Sequence, residues 1–251
     1  MDLKPISRIL TGKFSPKSLG LYILINYSLA IAFLITATVS YHFYDLSRGK
    51  DGFSFLWDDI SATGSISGNA PGWIYFSIFL WYAALLMVPI NFYFLRRMKQ
   101  MKIPAYPVIV ILYFIGTIGN FLVGCFPSGT IREGHLTSAI LAFSGYLLGF
   151  IIFFFSILVK KYVKLRNSPE ERKKMNIVNP LFLPYILLFA IVIGVAITQG
   201  HVLVDGIANI DDYRGTIQSI SLWEWSIFFT IVIMFISFAI IFSRIQIRDE
   251  K

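Results

Sequence analysis

Two helical stripes carry most of the residues in this chain that could do chemistry. Gly194, Thr198, His201 and Asp205 recur at intervals of four, three and four. His135, Ser138, Ala142, Gly145 and Gly149 recur at three, four, three and four, so each set lies along one side of a helix. His201 and Asp205, one turn apart, can share a ligand. With His135 they supply three nitrogen and oxygen donors and leave a fourth position for an activated water, the composition of a hydrolytic zinc site. Without a metal, the same three residues and Glu224 are candidates for general acid and base work. A pocket that binds a headgroup, and polar caps that only end apolar segments, are the other roles open to them. Asn120, on a face with Thr117 and Gly124, and His42 fall at a similar depth, with Asp58, Asp59, Asp211 and Asp212 in the adjoining loops. The polar side of the last apolar segment runs Ser226, Thr230 and Ser237, out of phase with Glu224, which puts Glu224 near the opposite face or in an interfacial turn.

Six apolar stretches position these residues: about Leu19 to Phe43, Trp73 to Leu95, Ala105 to Phe126, His135 to Val159, Pro180 to Val204 and Leu222 to Phe242. Each exceeds the roughly 20 residues needed to cross a hydrocarbon core. A helix satisfies its own backbone in lipid, and a barrel would show shorter alternating segments, so the expected fold is all-α. Residues 1–251 read as one domain, a bundle of six transmembrane helices. Of the 22 Lys and Arg residues, 18 fall in the amino-terminal segment, the second and fourth gaps and the tail, against 4 in the other three gaps. Basic loops stay in the cytoplasm, so both termini are expected there and the chemistry-bearing ends of the helices on the extracytoplasmic side. The first apolar run reads as an uncleaved signal anchor. Ser168-Pro169-Glu170-Glu171 predicts the start of a short helix in the fourth gap, with Ser168 as its cap.

A composition of 56% apolar and 14% charged residues leaves no mass for a soluble domain. The net charge of +8 belongs to the gaps beside the spans, which excludes nucleic acid as its explanation and favours anionic lipid headgroups. With Cys125 as the sole cysteine, no intrachain disulfide forms. The chain has no phosphate-cradling Gly-rich loop, His-Glu-x-x-His helix, cysteine pair or Gly-x-Ser-x-Gly elbow. Four of the five tryptophans, Trp57, Trp73, Trp223 and Trp225, map to one interface as an aromatic belt.

Three segments resemble the Frag/DRAM/Sfk family of six-span membrane proteins, which includes damage-regulated autophagy modulators and the amino-terminal domain of cell-wall biogenesis proteins. They are Ile60-Ser61-Ala62-Thr63-Gly64 with Pro71 and Phe76; the stretch from Asn120 to Phe143 with Gly124, Phe126, His135, Ala139 and Phe143; and Glu224-Trp225. Ala62 stands where the family tends to carry Asp, and Gly72 where Glu often follows Pro. The resemblance implies membrane-lipid biology: remodelling of lipid-anchored proteins, maintenance of lipid distribution or modulation of lysosomal membranes. It adds Ser61, Thr63 and Trp225 to His135, Asn120 and Glu224 as expected lipid-contacting residues, with membrane lipids as the partner. The alternatives are a lipid-modifying enzyme, zinc-dependent or not, working by acyl transfer or hydrolysis through His135, His201 and Asp205, and a non-catalytic membrane scaffold.

Overall fold

The computed structural model describes residues 4–55, 57–167, 185–194 and 220–244, and all regular structure among them is helical. The elements are α1 (Lys4–Leu10), α2 (Pro16–Ser47), a 3-10 turn (Ile60–Gly64), α3 (Trp73–Gln100), α4 (Tyr106–Cys125), α5 (Arg132–Asn167), α6 (Tyr185–Gly194) and α7 (Ile220–Arg244). Five of them, α2, α3, α4, α5 and α7, are long and apolar enough to cross a membrane. Their outward sides carry Leu24, Leu85, Ile111, Ile140 and Ile233, all exposed, as lipid contact requires. The chain is therefore a multi-pass integral membrane protein. The apolar helix α6 lies within the expected fifth span; the remainder of that span, the expected cap Ser168 and the loop with Asp211 and Asp212 are outside the described residues.

Helix ends follow from local chemistry. Ser15 caps α2 by accepting from the Ser18 N–H at 3.1 Å while Ser18 Oγ accepts from the Ser15 N–H at 2.8 Å, and Pro16 follows at the first turn. From α2 to α5 the long helices alternate in direction, and α7 runs the same way as α5. The start of α3 and the ends of α2 and α4 share one face with the start of α5 and α7, joined there by the Ile66 N–H to Ser128 carbonyl bond of 3.0 Å. At the other face Arg97, near the end of α3, donates to the Phe242 carbonyl at the end of α7. The basic positions Arg96, Lys99, Lys160 and Arg166 sit at that second face.

Small residues set the closest helix approach. A Cβ built at Gly145 of α5 would stand 2.5 Å from the backbone nitrogen of Gly116 in α4, and Gly119 is pressed equally hard on Ala142. This is the stripe expected on α5, and it faces α4, with Ser138 and Ala142 buried along it. Across the same layer Asn91 of α3 donates to Thr117 Oγ1 at 2.9 Å and Tyr146 of α5 donates to that oxygen at 3.2 Å, a polar tie among three helices. Toward the basic face the core is aromatic. Phe94 is fully buried and its ring meets those of Tyr113, Phe235, Phe238 and Phe242 at centroid distances of 5.6 to 6.2 Å. Truncating Phe94 to Ala is expected to cost about 3–5 kcal/mol through lost contacts and the cavity left behind. Reversible unfolding in detergent measures it, and Phe92→Ala on the more exposed side serves as the reference.

Candidate functional site

The polar end of the bundle is built by residues 48–72, which fold back over the helix ends. His42, in the last turns of α2, accepts the Phe53 N–H on Nδ1 at 3.0 Å. Gly52 adopts φ +79° against that imidazole, where a Cβ would stand 2.5 Å from Nδ1, so a glycine is required for the turn. Asp58 gathers the loop: Oδ1 accepts from the Tyr41 hydroxyl at 2.7 Å, Oδ2 from the Ser54 N–H at 2.8 Å, and its carbonyl from Trp225 Nε1 at 3.0 Å. Asn69, wholly buried, donates to the Thr63 carbonyl at 2.6 Å and the Ala37 carbonyl at 3.0 Å, tying the 3-10 turn to α2.

Glu224 belongs to this assembly. It stands in the first turns of α7, and its Oε2 accepts the Ile60 N–H at 3.2 Å; one turn earlier the Ser221 hydroxyl donates to Asp59 Oδ1. Of the two places the sequence leaves open for Glu224, the opposite face and an interfacial turn, the structure has the second. The buried side of α7 includes Ser221, Trp225, Thr230, Phe235, Phe238 and Phe242, and the Ser226 and Thr230 hydroxyls bond the carbonyls of Leu222 and Ser226 in their own helix.

Beneath the loop a cavity of about 440 Å³ opens between α2, α3, α4, α5 and α7. Its walls are apolar over most of their length: Leu34, Phe79, Ala83, Ala139, Phe143 and Phe235 are representative. Polar side chains enter at few places: Ser61, Asn120, His135 and Glu224, with the rings of Phe55 and Trp225, and elsewhere Thr38, Tyr27 and Tyr146. Asn120 donates weakly to the Leu80 carbonyl at 3.4 Å. His135 Nδ1 lies 2.7 Å from the Phe126 carbonyl; a carbonyl can only accept, so Nδ1 carries the proton and Nε2 of the neutral ring is the basic nitrogen.

Five of the six expected lipid-contacting residues, Ser61, Asn120, His135, Glu224 and Trp225, thus border one cavity. The sixth, Thr63, is fully buried with its hydroxyl donating to the Ile60 carbonyl at 2.7 Å, where it closes the 3-10 turn. His201 and Asp205 lie outside the described residues, and so does Thr198 of their stripe; its first member, Gly194, packs against the Trp223 ring. Among the described residues no three His, Cys, Asp or Glu side chains converge as metal ligands would. Sequence reasoning missed the contribution of Phe228 and Phe229 to the cavity wall, since both lie in an apolar run with no polar residue to mark a site. Comparison with protein-family models, curated proteins and solved structures finds no match.

Proposed function

We propose that this protein binds a membrane lipid in the interhelical cavity, with acyl chain against the apolar walls and headgroup at the end bordered by Glu224, His135 and Ser61. The composition of the cavity carries this reading: a long apolar wall with a few polar groups collected together is the complement of an amphiphile. Two observations add support. The three segments resembling the Frag/DRAM/Sfk family, far apart in the chain, all contribute to this cavity. The segregation of Lys and Arg at the opposite face favours, by the positive-inside rule, an extracytoplasmic polar end, six spans and cytoplasmic termini.

Lipid that remains after detergent purification tests the reading by native mass spectrometry. Ala139→Phe places a ring in the cavity and is expected to remove most of the retained lipid, whereas Ile140→Phe, on the exposed neighbouring position, leaves it unchanged. Equal lipid in the wild type and Ala139→Phe rejects the cavity as the site. A lipid-modifying reaction is the second reading, favoured by His135 Nε2 and Glu224 bordering the same space. It requires that purified protein turn over a lipid ester or amide and that His135→Ala abolish the turnover while lipid is still retained.

A further inference from the structure

Resting on the lipid reading above, we infer that the polar end of the cavity selects an amphiphile whose headgroup carries an ammonium group, held between Glu224 and the rings of Phe55 and Trp225. The argument starts from charge. Glu224 borders a cavity that is otherwise almost wholly apolar, and Asp59 stands close by through its bond from Ser221, one turn before Glu224. Among the described residues no Lys or Arg forms an ion pair with either carboxylate. An ionised carboxylate against apolar surface is costly unless a positive group joins it, and two neighbouring acids repel an anionic headgroup.

The rings point to the same ligand class by an independent route. Phe55 and Trp225 meet edge to face at 5.0 Å, Trp225 stacks on Phe229 at 5.8 Å, and all three rings border the cavity together with Glu224. Aromatic faces beside a carboxylate are the chemistry that receives alkylammonium and quaternary ammonium groups, since the ring quadrupole attracts a cation without hydrogen bonds. Neither Phe55, half exposed on the loop, nor the Glu224 carboxylate has a structural need for such company: the Ile60 N–H would be satisfied equally by a glutamine amide oxygen.

The test offers the purified full chain equal amounts of phosphatidylethanolamine, phosphatidylcholine and phosphatidylglycerol of one chain composition, and reads bound lipid by native mass spectrometry. The wild type is expected to prefer the two ammonium lipids over phosphatidylglycerol by roughly tenfold, between the values for an exposed and a fully desolvated cation–aromatic contact. Glu224→Gln is expected to bring that ratio close to one, and Phe55→Ala, a change on an exposed loop residue, to lower it severalfold. A wild-type ratio of one, or a preference for phosphatidylglycerol, overturns the headgroup inference and leaves lipid binding intact. Loss of all three lipids from the wild type overturns the lipid reading itself. A third arm offers choline and ethanolamine without chains: binding as tight as that of the lipids supports the ammonium site and rejects the lipid as its source.

Discussion

Gly145→Leu is expected to yield a chain that inserts but does not hold its α4–α5 pairing. At this position the two backbones are in contact, so a side chain has only the backbone of Gly116 and Leu112 to push against, and backbone cannot rotate out of the way. Overpacking in an ordinary core costs about 1–3 kcal/mol because neighbouring side chains adjust. Here the adjustment is separation of two helices, which also breaks the tie from Tyr146 to Thr117. The expected result is loss of the monodisperse peak on size-exclusion chromatography and a fall in melting temperature larger than that of any single core truncation. Gly20→Leu is the control, because a Cβ at Gly20 meets nothing within 4 Å. Equal behaviour of the two variants rejects the close seam.

Asn69→Leu is expected to detach the polar cover from the bundle. Its amide is the one described side chain that holds the 3-10 turn and α2 together by two buried hydrogen bonds, and leucine leaves the Thr63 carbonyl without its donor. Unsatisfied buried partners put the loss at roughly 2–4 kcal/mol. The consequence reaches the cavity, since Ile60 and Ser61 border it and the Ile60 N–H is the donor to Glu224. Retained lipid is therefore expected to fall together with stability, whereas Ser67→Ala on the exposed side of the same loop changes neither. A stability loss with full lipid retention separates the loop from the binding role.

The pattern of apolar runs and the alternation of basic gaps determined by themselves that this chain is helical and crosses a membrane several times. Those signals are one-dimensional: hydropathy over 20 residues and the side on which charge is kept need no knowledge of what a helix touches. The stripe from His135 to Gly149 was legible for the same reason, because Gly145 and Gly149 have no side chain to offer anything but close approach, and they face α4. The sequence leaves Glu224 between the opposite face and an interfacial turn, and the turn holds because the loop brings the Ile60 N–H to the first turns of α7. Thr63 and Ser61, two residues apart in one motif, part company in space: a 3-10 turn sends one hydroxyl to its own backbone and leaves the other at the cavity. That Asp58, Asp59, Ile60, Glu224 and Trp225 meet at all was decided by the tertiary structure, since more than 160 residues separate the partners. Periodicity reports which way a side chain leaves its own helix; which group it finds there depends on how a loop folds over the helix ends, and no repeat in the sequence encodes that.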